Sequence, residues 1–326
     1  MTLNIDADCA LAYWMFESAE AGPSKHHLRE TLLDRLDIGN LPDWTYAPDE
    51  CVHVVATDVR EFLNRNGVLC RVAHVGLPRG SSVLSIEGLP VVSPECCFLR
   101  LAGMLSLREL VKAGDLLCSA FSFDETGCLT GRREMVTSAE KLARYVKKAG
   151  PARGVKQARR ALRFLVDGAA SPPEIDACLL LCLPAMQGGY GCPLPELNGH
   201  VRLRPAVART LGYEDCYGDL LWRDAKCIVE YTSEQHHTGY QKQAQDEMRR
   251  AALEAMGYRV FLLTKPQLYN QVAFEGIARP ILRVIGRRMP RQTLEYQAAQ
   301  YDLRKGLLHE PSWVIKRACG GWQREF

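Results

Sequence analysis

The sequence predicts an α/β protein built from more than one domain. Three observations carry this. Short β-rich runs, among them Val52–Thr57, Val68–Val75, Lys226–Tyr231 and Tyr258–Leu263, are separated by stretches with helical periodicity. Ser93-Pro94 and Ser171-Pro172 each open such a stretch, with serine placed to cap and proline at the first helical position. A chain of 326 residues also exceeds the usual extent of one core. Four segments follow from the pattern: a small mixed α/β unit over 1–92, a helical middle section over 93–166, an α/β domain over 167–288 and an unassigned tail over 289–326.

In the first segment, Asp8 to Ser18 alternates at helical period and puts Leu11, Trp14 and Met15 on one side. Residues 19–50 are weakly patterned, with room for a helix from Lys25 to Leu36 that leaves His26 and His27 at the surface. Asp58 is placed to cap a short helix to Asn64. Val52–Thr57, Val68–Val75, Ser82–Ile86 and Pro90–Val92 predict a mostly antiparallel sheet. The middle section reads as helices over Glu95–Gly103, from Ser106 to Gly114 or beyond, Ser138–Lys148 and Val155–Val166. A further helix runs from Ser171 to about Leu183. Asn198-Gly199, a strong hairpin signal, predicts that Leu194–Leu197 pairs with His200–Leu203. Cys216–Trp222 and Lys226–Tyr231 form a second hairpin. A helix over Gly239–Met256 ends at Gly257, which suits a C′ position, and Tyr258–Leu263 returns as a strand. Pro266–Asn270 and Phe274–Arg287 close the pattern as helices.

Composition narrows the function classes. Hydrophobic residues make up 47% and charged residues 24%, as in ordinary globular proteins, and no apolar run has the length of a membrane span. Met1–Cys9 holds Asp6 and Asp8 and no basic cluster, so no secretory signal is expected and the cytoplasm is the expected compartment. Thirteen cysteines, an odd number without a C-x-x-C pair, predict buried free thiols in a reducing compartment rather than disulfides or a zinc site. The net charge of +3 hides an asymmetry: residues 1–66 carry twelve acids against five bases, and residues 132–163 carry eleven bases against two acids. The basic stretch points to a phosphate-backbone footprint on nucleic acid through Lys147, Lys148, Lys156, Arg159 and Arg160. A solvated face, or docking against the acidic N-terminal part, would show the same charge pattern.

The chemistry concentrates between Cys216 and Thr264. With only Arg223, Asp224 and Ala225 between the two runs, and Asp224-Ala225 as the loop, Trp222 faces Cys227 and Asp219 falls opposite Glu230. Like charges opposed across a ladder repel, whereas two carboxylates on a strand pair suit a hard divalent ion. An exposed hairpin with two solvated acids would have the same spacing. After Glu230 come Tyr231, Thr232, Ser233, His236 and His237, then the helix with Asp246 and Arg249. This order resembles the PD-(D/E)XK restriction-endonuclease-like superfamily, and more narrowly its very-short-patch-repair-type nuclease domains, over about fifty residues. The matching positions are Asp219, Glu230, Ser233, His236, Asp246 and Arg249. One departs: the acid or lysine of the superfamily two residues after Glu230 is Thr232 here.

The resemblance implies metal-dependent hydrolysis of DNA phosphodiesters. Asp219 and Glu230 would hold Mg²⁺ or Mn²⁺, with the Tyr231 carbonyl as a third protein ligand. His236 or His237 would serve as general base or leaving-group acid, with Asp246 and Arg249 positioning the groups from the helix. Glu174 has two compatible readings, a capping-box partner of Ser171 and the helix-borne acid that such folds set beside the metal. Val92-Ser93-Pro94-Glu95 with Leu99 and Ala102 resembles part of the type IV abortive-infection antitoxins. With Thr232, this favours the alternative: a catalytically weak or inactive, antitoxin-like regulator on the same fold, with a toxin partner.

Overall fold

The computed structural model describes residues 3–16, 41, 43–56, 60, 62, 64–73, 77–85, 89–124, 126–131, 134–232 and 240–319. The chain is α/β and divides into two compact units, Met1–Leu165 with Glu310–Phe326, and Val166–His309. The helical stretch after residue 92 thus shares a unit with the N-terminal sheet, and the tail is divided between both. The sequence-predicted helices at 25–36 and 58–64, and His26 and His27, lie outside or largely outside the described residues, as do Ser233, His236 and His237.

The first unit begins with β1 (Leu3–Ile5), whose successor Asp6 caps α1 (Ala7–Trp14) by accepting the Ala7 amide at 2.7 Å. β2 (Val52–Ala56), β3 (Val68–Val72), β4 (Ser82–Leu84) and β5 (Pro90–Val92) complete a five-stranded sheet ordered β3-β2-β1-β5-β4. The sheet is mixed, not mostly antiparallel: β1–β5 and β2–β3 are parallel. The first of these pairs comes from β1, a three-residue run too short to read as a strand, which enters between β2 and β5 and is wholly buried. Every residue of α1 is buried, so its apolar stripe does not mark a single covered face.

Helices α2 (Pro94–Leu101), α3 (Leu107–Leu117), α4 (Ala139–Lys148) and α5 (Val155–Ala161) follow, interrupted by a small hairpin of β6 (Phe121–Phe123) and β7 (Leu129–Gly131). Ser93, Ser106 and Ser138 cap three of these helices through their hydroxyls, and Ser106 and Glu109 form a capping box. Gly154 permits the close approach of α5 to the end of α2: its φ is +87°, and a Cβ there would lie 2.7 Å from the Gly103 amide nitrogen.

In the second unit, α6 (Pro172–Cys182) packs on a four-stranded sheet ordered β11-β10-β9-β8. β8 (Glu196–Arg202) is one continuous strand, so the Asn198-Gly199 turn is a misreading. Asparagine tolerates positive φ without a chain reversal. Asn198 has φ 49° and sends its side chain to the Gly168 carbonyl at 2.7 Å. α7 (Pro205–Leu211) leads to β9 (Asp215–Trp222) and β10 (Cys227–Thr232). The loop between them has four residues rather than two. Its Lys226 amide donates to the Arg223 carbonyl at 3.1 Å, and Lys226 itself has φ 48°. The register is nevertheless the expected one, with Trp222 opposite Cys227 and Leu220 opposite Val229. α8 (Tyr240–Ala255) carries the chain over to β11 (Arg259–Thr264), parallel to β10, and Leu253 of α8 joins Val201, Leu203, Cys216, Leu221 and Ile228 in the core. α9 (Lys265–Tyr269), α10 (Gln271–Val284) and α11 (Leu294–Arg304) complete this unit, and α12 (Trp313–Ala318) packs on α1 and α3 of the first. Among the described residues no helix is long and apolar enough to cross a membrane. All thirteen cysteines are free thiols.

Candidate functional site

The two inner strands of the second sheet carry the acids. The β9–β10 ladder pairs Leu220 with Val229 and ends there, with Asp219 and Glu230 as the next residue of each strand. There the Asp219 side chain takes over as acceptor: the Tyr231 amide donates to its Oδ2 at 2.7 Å. Tyr231 therefore meets Asp219 through its backbone nitrogen. Glu230 Oε1 accepts from Arg249 Nη2 of α8 at 2.7 Å, and the same guanidinium bonds the Tyr217 carbonyl. Asp246, exposed and one turn before Arg249, adds its negative charge to the field at Glu230.

Glu174 comes from the first turn of α6 and is 5% exposed. Its carboxylate accepts from the Ala170 amide at 2.8 Å, the Ser171 hydroxyl at 2.7 Å and Asn198 Nδ2 at 3.1 Å. This differs from the expected capping box, because the backbone donor is Ala170 rather than Ser171. Asn198 was missed as a member of the site because the Asn-Gly pair reads as a turn.

Charge is unbalanced here. Burial, then the Asp219 charge, pushes Glu174 up to about 7 against the opposing hydrogen bonds. Burial also pushes Glu230 up to about 7; Arg249 works against this, and Asp219 and Asp246 add to it. Burial raises Asp219 too, tempered by the Tyr231 amide and Arg249. Asp219 and Glu230 thus feel the Arg249 guanidinium, with Arg250 adding to it at Glu230, while Glu174 is met by neutral donors alone.

A divalent ion fits this imbalance. Asp219 Oδ1 and Glu230 Oε2 take no hydrogen bond from a described residue, which leaves one oxygen on each for an ion that keeps most of its waters. The three acids do not converge as tightly as a closed protein cage. Among the described residues, three donor atoms lie within 4.8 Å of one another only at Asp8, Cys9 and His53 of the first unit.

That cluster is already supplied with cations. Asp8 Oδ2 accepts from Arg71 Nη1 at 2.7 Å and lies 2.8 Å from His53 Nδ1, while His53 Nε2 lies 3.2 Å from Asp49. Burial pushes the Cys9 thiol up to about 12, so it keeps its proton. Burial works to lower the His53 pKa, but Asp8 and Asp49 outweigh it and hold the imidazole above its ordinary value. Arg71 already gives Asp8 its countercharge.

Lys147 and Lys148 on α4, and Lys156, Arg159 and Arg160 on α5, are all exposed, and the two helices pack together. The buried acids Asp6 and Asp8 draw their cations from Arg71 and Arg100, outside this basic stretch. Comparison of the chain with family models, curated proteins and solved structures finds no match.

Proposed function

We propose that residues 166–309 form a metal-dependent nuclease domain of the PD-(D/E)XK type that hydrolyses DNA phosphodiesters. The observation that carries this reading is the placement of Asp219 and Glu230 on the β9–β10 hairpin, each with one carboxylate oxygen that takes no hydrogen bond from a described residue, and with burial raising both. The order of the parts supports it: an acid on a helix, two acids on a hairpin, an arginine on the next helix, then a parallel strand.

Asp219 and Glu230 would hold Mg²⁺ or Mn²⁺. Such an ion lowers the pKa of a bound water and neutralises charge developing on the phosphate. The Tyr231 amide fixes the rotation of the Asp219 carboxylate, and Arg249 fixes Glu230. Glu174, its carboxyl pushed up by burial and by the Asp219 charge, can hold or release a proton. Thr232 offers a hydroxyl and no charge, so the proton of the attacking water falls to Glu174 or to His236 or His237. Lys147, Lys148, Lys156, Arg159 and Arg160 would contact DNA phosphates. The deciding experiment is plasmid and single-strand cleavage with Mg²⁺ and Mn²⁺ beside an Asp219→Asn control. Equal cleavage by both proteins would remove the acids from the mechanism.

A second reading is an antitoxin-like, non-catalytic binder on the same fold with a toxin as partner. Thr232 favours it, as does the direct Arg249–Glu230 pair, since a guanidinium already occupies one carboxylate oxygen. Metal uptake without cleavage, together with co-purification of a cognate toxin, would decide for this reading.

A further inference from the structure

A cleft of about 340 Å³ opens in the first unit between β3 and α2. Three arginines line it, Arg71 from β3, Arg100 from α2 and Arg153 from the turn before α5, with Leu77, Leu99 and Met104 among its apolar walls. Two of the guanidiniums are held in place from behind. Asp6, fully buried, receives Arg100 through Nε and through Nη2 at 2.7 Å, and Arg71 Nη1 reaches Asp6 at 3.2 Å and Asp8 at 2.7 Å. Each guanidinium has five N–H donors, and these contacts leave Arg100 Nη1 and Arg71 Nε donating to no described residue. Arg153 has no carboxylate within ion-pair distance among the described residues. Its stem crosses Gly103, where a Cβ would lie 3.3 Å from Arg153 Cγ, so the missing side chain makes room for the arginine. Three guanidiniums therefore face two carboxylates, and the surplus positive charge lies in the cleft.

We propose that this cleft binds a small phosphate monoester of nucleotide size, with its phosphate on Arg71, Arg100 and Arg153 and its organic body against Leu77, Leu99 and Met104. Planar guanidiniums held by buried carboxylates are pre-organised, so little conformational freedom remains to be lost when a tetrahedral anion arrives. The volume falls in the range of roughly 300–1,000 Å³ typical of small-molecule sites, and apolar walls with a few convergent charged groups are their usual lining. A free inorganic anion would leave those walls uncovered.

Calorimetry of the full chain with AMP, GMP, CMP and UMP, beside adenosine and inorganic phosphate, tests this. At least one nucleoside monophosphate should bind, with adenosine and phosphate each weaker by about tenfold or more, since a charge-assisted hydrogen bond and buried apolar contact each contribute on that scale. Arg153→Ala, at an exposed position, should fold normally and lose about tenfold in affinity. Arg163→Ala, an exposed base outside the cleft, should bind as wild type does. Absence of binding at millimolar nucleotide, equal binding of phosphate alone, or unchanged affinity in Arg153→Ala would each overturn the proposal. Asp219→Asn should bind the nucleotide normally, because the site lies in the other unit and does not depend on the nuclease reading.

Discussion

The two units each bury a cluster of acids, and the clusters are balanced in opposite ways. In the first, Asp6 and Asp8 meet Arg71 and Arg100, and Asp8 is held below the usual carboxylate range because the His53 and Arg71 contacts overcome burial. In the second, Arg249 acts on Asp219 and Glu230, Glu174 has only neutral donors, and all three are raised. Buried acids matched by fixed cations are part of the framework. Buried acids short of cations are in want of a proton or a metal. The difference marks the second cluster as the one whose acids lack cations, whereas the acids of the first are met by theirs.

The largest effect should come from breaking the balanced cluster. Asp6→Ala leaves Arg100 and part of Arg71 desolvated and unpaired, so the first unit should lose about 3–5 kcal/mol in denaturant unfolding. A loss below about 1 kcal/mol would show that this network is far better solvated than its burial implies.

The unbalanced cluster should respond in the opposite sense. A carboxyl whose folded pKa lies above its unfolded value binds more protons when folded, so its contribution to stability falls as pH rises between the two. For Glu174 the window runs from the ordinary glutamate value of 4.5 to about 7. Glu174→Gln should therefore gain on wild type across that window by up to about 3 kcal/mol. A constant difference between the two proteins from pH 4 to 8, read from urea titrations, would refute the charge imbalance.

Metal should cancel the same imbalance. Asp219→Asn should weaken Mn²⁺ binding on the order of a hundredfold, while Thr232→Asp or Thr232→Lys leaves it largely intact and raises any cleavage rate. Calorimetric isotherms for wild type and Asp219→Asn that superimpose would end the metal-site proposal. The smallest effect concerns the exposed bases. Reversing Arg159 and Arg160 to Glu should reduce the slope of log affinity for DNA against log salt by about two, one for each phosphate contact. An unchanged slope would reduce this stretch to a solvated surface.

The parts of this molecule that were legible in its sequence are those fixed by local signals. Ser93, Ser106 and Ser138 announce their helices because a cap acts within one turn. The short connection between β9 and β10 was enough to set the register that pairs Trp222 with Cys227, although the loop proved longer than expected. What stayed hidden depends on distant partners. β1 is a strand only because β2 and β5 flank it. No spacing links Asp6, Asp8, His53, Arg71 and Arg100; the sheet order and α2 bring them together. Asn198 misled for the same reason, since the partners that keep it inside a strand are Gly168 and Glu174.

That asparagine also makes β8 a clock. A glycine successor is the neighbour that least hinders attack of its own backbone nitrogen on an asparagine side chain, a reaction that expels ammonia and, after hydrolysis, leaves a carboxylate. Within β8, Gly199 is paired with Gly218 and Asn198 is anchored at 2.7 Å to Gly168, so the attack geometry requires the strand to open. Deamidation at this position would remove a donor from Glu174 and put another negative charge beside acids already short of cations. Mass spectrometry of aged protein should find Asn198 intact in the folded state and converted in urea, so that its rate of conversion reports how often β8 comes undone.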